Sequence, residues 1–153
     1  MPAGVKYVHT NIVADDWKAL ARFYEDAFGC TPVPPERDYQ GRWITDVTGI
    51  PDVSLAGMHL RLPGYGEHGP TLEIFQYSRH EARPSPAANR LGLAHIAFHV
   101  DDVPWTRQAV LDAGGRDLGK MHTMRVPGAG TITLVYMTDP EGNIVELQQW
   151  SSS

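Results

Sequence analysis

Apolar and β-branched residues dominate positions 5–13 (VKYVHTNIV), a pattern that predicts a strand. Asp15 and Asp16 follow and supply a helix cap. Beyond them Trp17, Leu20, Ala21, Tyr24 and Phe28 recur at helical spacing, and Gly29 closes the helix. The next stretch, from Cys30 to Asp52, is interrupted: TPVPPERDYQGRW holds three prolines and a glycine, so any strand there is expected to be broken. VSLAGMHLRL (53–62) and PTLEIFQY (70–77) read as strands joined by the turn PGYGEHG. Residues 78–90 (SRHEARPSPAANR) are polar and proline-bearing, and form a linker.

After this linker the order begins again. LGLAHIAFHV (91–100) predicts a strand and DDVPWTRQAVLDAGG a capped helix. A weak strand in RDLGKMHTM, a PGAG turn, the strand TITLVYMTD, a PEGN turn and the last strand IVELQQW complete the chain. The halves also match residue by residue. His9 and His95 are each followed by five residues and then an Asp-Asp pair, Asp15-Asp16 and Asp101-Asp102. Each has a glycine 20 positions on, at Gly29 and Gly115. The final strands share a pattern of apolar, Glu, apolar, any residue, Gln, aromatic: Leu72 to Tyr77 and Val145 to Trp150. Three coincidences at matched positions point to duplication.

Duplication pairs His9 with His95 and Glu73 with Glu146. If a pseudo-twofold axis relates the halves and the pairs lie near it, four side chains meet at one point. Two imidazoles and two carboxylates suit a single divalent ion, Ni, Co, Zn, Mn or Fe. Side chains alternate across a strand. Glu73 therefore shares a face with Thr71, Phe75 and Tyr77, and Glu146 with Ile144, Gln148 and Trp150. His9 lies with Asn11, and His95 with His99. Mixed polar and aromatic neighbours of this kind suggest a pocket lining, with Asn11, Tyr77, His99 and Trp150 as candidate substrate contacts. His59 and Arg61 share a face of the 53–62 strand, where a solvated surface is the favoured reading over a substrate-carboxylate site.

The segments VHTNIVADDWKALARFYEDAFGC, TLEIFQY, GLAHIAFHVDD and DPEGNIVELQQW resemble the vicinal oxygen chelate superfamily: glyoxalase I, methylmalonyl-CoA epimerase, extradiol dioxygenases and the fosfomycin and bleomycin resistance proteins. The resemblance spans almost the whole chain. It implies an α+β fold of two tandem β-α-β-β-β modules, about 5–77 and 91–150, forming one domain over 1–153 with a U-shaped, partly closed mixed sheet around a metal. It also carries the family's metal positions onto His9, Glu73, His95 and Glu146. That set resembles the glyoxalase I branch; dioxygenases resemble a three-ligand set without the first acid, so Glu73 favours an isomerase, epimerase or lyase. Glu73 and Glu146 become the catalytic candidates, taking a proton next to a metal-held carbonyl or enolate.

Two departures narrow the substrate. The glyoxalase I branch carries Arg four residues after the first His and Asn four residues after the first Glu, to hold glutathione. This chain has Val13 and Tyr77 there, which argues against lactoylglutathione lyase activity. The alternatives are an Fe(II) extradiol-type dioxygenase and a metal-free small-molecule binding protein of the antibiotic-resistance type.

Bulk composition adds limits. The 153 residues are 42% hydrophobic and 20% charged, ordinary for one globular domain. Thirteen basic against 18 acidic residues leave a formal charge of −5, giving no reason to expect nucleic acid. One cysteine, Cys30, and no signal-like or membrane-length apolar run predict a cytoplasmic protein off the membrane. The expected partners are a small oxygen-rich substrate and, as in many family members, a second copy in a homodimer.

Overall fold

The computed structural model describes residues 3–152. The chain divides into two compact units, one ending at Ala82 and the other beginning at Arg83. That division falls inside the proline-bearing stretch 78–90.

In the first unit the elements run β1 (His9–Val13), α1 (Trp17–Phe28), β2 (Thr31–Tyr39), α2 (Arg42–Thr48), β3 (Leu55–Arg61) and β4 (Thr71–Tyr77). They form a four-stranded sheet in the order β1-β4-β3-β2, with β1 parallel to β4 and the other pairs antiparallel. The second unit repeats the plan with β5 (Ile96–His99), α3 (Val103–Asp112), β6 (Arg116–Asp117), β7 (His122–Val126), β8 (Gly130–Thr138) and β9 (Ile144–Ser151). Its sheet runs β5-β9-β8-β6, with β7 also on β8 and β5 parallel to β9. Both are mixed, open sheets in an α+β fold.

The helices start where the sequence caps them. Asp16 Oδ1 accepts the Ala19 N–H at 3.0 Å, and Asp102 Oδ1 accepts that of Trp105 at 2.8 Å, each satisfying an otherwise orphaned donor. Gly29 ends α1 in the left-handed region (φ 68°), where a Cβ would be strained. Trp17, Leu20, Ala21 and Tyr24 form the buried stripe of α1. Helix α1 lies against β3 and β4, where Leu60, Leu72 and Ile74 are fully buried. That packing occupies one sheet face and commits the alternate positions, including Glu73, to the other.

Two strand boundaries need correction, and one helix was not anticipated. The interrupted stretch after Cys30 contains a nine-residue strand and the short helix α2. The strand β2 is broken as its prolines require, its register shifting between Val33 and Arg37. Strand β1 covers only His9–Val13, because its partner β4 begins at Thr71, just after Pro70; the Val8 carbonyl accepts the Thr71 N–H at 3.0 Å, and the ladder does not extend to residues 5–7. Strand β5 likewise begins at Ile96, opposite Val145 near the start of β9. His95 therefore stands one residue before its strand, and Leu91 and Leu93 are 99% and 98% exposed.

The turn before β9 is fixed from within. Asp139 is fully buried; its Oδ1 accepts the Glu141 and Asn143 N–H groups at 2.9 Å, and its Oδ2 accepts Asn143 Nδ2–H at 2.7 Å. These bonds set the β8–β9 register that places Tyr136 opposite Glu146.

Cys30 is buried at the end of α1, and burial, with the Glu25 charge adding, pushes its thiol up to about 12 from 9.0. A raised folded-state value keeps the proton on the folded thiol while the unfolded one ionises. Stability is therefore expected to fall as pH rises from 9.0 towards about 12. At pH 8 the native protein should resist iodoacetamide, with full labelling only in urea; rapid labelling without denaturant would contradict this burial.

Candidate metal centre

Glu73 sits at the middle of β4, between β1 and β3. The parallel ladder pairs it with Asn11, and the antiparallel ladder pairs it with His59. His9 is two residues from Asn11 and so shares its face. The two flanking strands thereby aim His9, Asn11 and His59 at one carboxylate.

The distances show how that carboxylate is held. Glu73 is only 8% exposed, and a carboxylate so buried needs close partners. His9 Nε2 stands 3.4 Å from Oε1, Asn11 Nδ2–H donates to Oε1 at 2.9 Å, and His59 Nε2 stands 2.5 Å from Oε2. The other nitrogen of His59, Nδ1, is 2.8 Å from Thr71 Oγ1. The His9 and His59 rings meet edge to face, centroids 5.3 Å apart. Burial pushes His59 below its ordinary 6.5; the charges of Arg37 and His9 add to this, while Glu73 opposes it. Burial, then the Glu73 charge, pushes the Tyr77 phenol up.

Apolar packing adjoins these donors. Phe75, two residues along β4, meets the His59 ring edge to face at 6.3 Å and joins Ile44 of α2, Val53 and Leu55 in a buried cluster. Tyr39 and Tyr77 pack against that cluster. Helix α2 thus covers the sheet face that carries Glu73, beside the donors.

The second unit repeats the frame with different side chains. Glu146 on β9 is 8% exposed, and His95 Nε2 lies 2.9 Å from its Oε2. Its ladder partners are Ala97 where the first unit has Asn11, and Tyr136 where the first has His59. The His95 ring lies 4.9 Å from that of Tyr136. Trp150 Nε1–H donates to Gln148 Oε1 at 2.5 Å, and His99, exposed, is the ladder partner of Gln148.

Each predicted histidine therefore meets its predicted glutamate. Asn11, expected to face substrate, is spent on Glu73. His59 is the residue that strand-by-strand reading missed: it is half-buried against Glu73, not on a solvated face. A register estimate finds it, since His59 and Glu73 each stand seven residues from Gly66 at the hairpin centre.

The donor set fits a metal. His9, His59 and Glu73 offer ligand atoms that all lie within 4.8 Å of one another, and imidazole with carboxylate suits a borderline divalent ion. Within the second unit, His95 and Glu146 offer the same donor types.

Comparison with known proteins agrees with the fold. A family model, the glyoxalase-like domain, matches residues 9–147. The chain belongs to this glyoxalase-like family, within the vicinal oxygen chelate superfamily. Among solved structures it is similar to a glyoxalase family protein of Bacillus cereus, with TM-score 0.79 and 17% identity over 98% of this chain and 99% of that one. It is similar to a fosfomycin resistance protein of Listeria monocytogenes, with TM-score 0.60 and 15% identity over 99% and 94%. A glyoxalase I variant of Zea mays gives TM-score 0.60 and 22% identity, over 93% of this chain and 45% of that one. No curated protein sequence matches. The superfamily contains metal-dependent enzymes and resistance proteins acting on small molecules. Among the described residues no helix is long and apolar enough to cross a membrane.

Proposed function

We propose that this chain is a divalent-metal-dependent isomerase, epimerase or lyase. In this reading both units form one domain, and His9, Glu73, His95 and Glu146 hold one Ni, Co, Zn, Mn or Fe ion. The observation that carries it is the duplicated pair: in each unit a buried strand glutamate meets an imidazole seven positions before the helix-capping aspartate. When bound, the ion acts as a Lewis acid on a substrate oxygen.

The protein's own groups supply the rest. A glutamate, Glu73 or Glu146, takes a proton from the carbon beside a carbonyl and returns it to the same or a neighbouring carbon. Tyr77, His99 and Trp150 line the substrate, a small oxygen-rich molecule. The absence of Arg at Val13 and Asn at Tyr77 argues against a glutathione adduct. A cytoplasmic homodimer completes the reading.

One observation favours a second reading. His9, His59 and Glu73 are a two-histidine, one-carboxylate set, the donor type of non-haem iron oxygenases, which supports Fe(II) oxygen chemistry, although its carboxylate is the first-unit acid that the extradiol branch lacks.

A single panel separates the readings. The metal-loaded protein is incubated in D2O with α-hydroxy ketones and 2-substituted 3-oxo acids, and C–H exchange is followed by NMR. Metal-dependent exchange is expected. Oxygen uptake with catechols and Fe(II), without exchange, would favour ring cleavage. Ligand binding with neither reaction would overturn both and leave a sequestering protein.

A further inference from the structure

His59 is not part of the duplicated set. Its counterpart, opposite Glu146, is Tyr136, so the repeat does not require an imidazole there. Its placement nevertheless has the features of a metal donor. The side chain is only 16% exposed, on the strand next to Glu73 and on the same face as His9. Its Nδ1 lies 2.8 Å from Thr71 Oγ1, which fixes the ring with Nε2 aimed at the carboxylate. Metal-binding imidazoles are held in this way, by a partner on the far nitrogen.

The close contact is itself informative. A ring nitrogen and a carboxylate oxygen 2.5 Å apart need positive charge between them, either a proton or a metal ion. Without metal, Nε2–H donates to Glu73 and Nδ1 accepts the Thr71 hydroxyl proton. With metal, Nε2 offers its lone pair and Nδ1–H donates to Thr71 Oγ1. A hydroxyl can donate or accept, so Thr71 holds the ring in either tautomer. Donors of one ion at bonds of ~2.0–2.1 Å stand about 3 Å apart. The 3.4 Å spacing of His9 from Glu73 already suits this, and the His59 spacing needs to open by only about half an ångström.

We infer that His59 is a metal donor, and that His9, His59 and Glu73 form a three-donor seat within the first unit that holds a divalent ion without His95 or Glu146. This rests on the reading that the chain binds a divalent metal, and it makes the centre unequal: three donors from the first unit, two from the second.

Co(II) is the probe, followed by equilibrium dialysis and by its visible absorption, which responds to the donor set. The full chain should bind one Co(II). The double variant His95→Ala/Glu146→Ala should still bind one, more weakly. Adding His59→Ala to that variant should weaken binding by about a hundredfold more. His59→Gln, which can still donate to Glu73 but has no imidazole, should fail as His59→Ala does. In the otherwise unaltered chain, either His59 change should shift the Co(II) bands. Loss of all Co(II) from the His95→Ala/Glu146→Ala variant, with the parent binding one, would overturn the three-donor seat alone. Restoration of parental binding and spectrum by His59→Gln would show that His59 only positions Glu73. A parent chain that binds no Co(II) would overturn the proposed function as well.

Discussion

Glu73→Gln is expected to lower the affinity of the chain for Co(II) or Zn(II) by about a hundredfold or more, with its fold retained. The two side chains have the same shape, but the amide carries no charge and is a poor donor to a divalent ion. Glu73 is also where three strands meet: His9, Asn11 and His59 all converge on it. Its loss removes one donor and the anchor that orders the two imidazoles. Glu146→Gln should weaken binding less, by about tenfold, because that carboxylate gathers only His95. Metal titration of both variants beside the parent tests this ranking. Unchanged affinity in Glu73→Gln would remove Glu73 from the centre.

The second large effect lies in the sheet itself. Gly57 faces Phe75 across the β3–β4 ladder. A Cβ there would run into the Ile74 carbonyl oxygen and stand 2.5 Å from Phe75 Cδ1. Because the backbone oxygen cannot rotate away as a side-chain end can, Gly57→Ala should cost about 3 kcal/mol, at the upper end for overpacking. Phe75 touches both the His59 ring and the apolar cluster under α2, so the same change should loosen the donors. Urea unfolding of the variant, with metal titration alongside, measures both effects. A stability within about 0.5 kcal/mol of the parent would show that the strands yield at little cost.

Much of the frame was legible because duplication repeats its signals. The Asp caps, the two strand glutamates and the two first-strand histidines recur at matched spacing, and the structure seats each histidine against its glutamate. Helix α2 was hidden for a physical reason. Its seven residues, RWITDVT, include four β-branched side chains, and Gly41 offers no side-chain cap. Only Ile44 is buried, so packing against Phe75 and Leu55, not propensity, holds the helix. His59 was hidden because a single strand shows which residues share a face but not what stands opposite. That information lies in the hairpin register. The strand ends were misread because apolar residues at 5–8 and 91–95 look extended whether or not a partner strand reaches them.

The central claim is that the chain holds one divalent ion on two strand glutamates and the histidines beside them. Elemental analysis of the purified, dialysed protein after loading with Zn, Co, Ni, Mn or Fe tests it most directly. One equivalent per chain, reduced in the Glu73→Gln and Glu146→Gln variants, is the predicted result. No retained metal from any of the five, with the protein folded, would contradict the account.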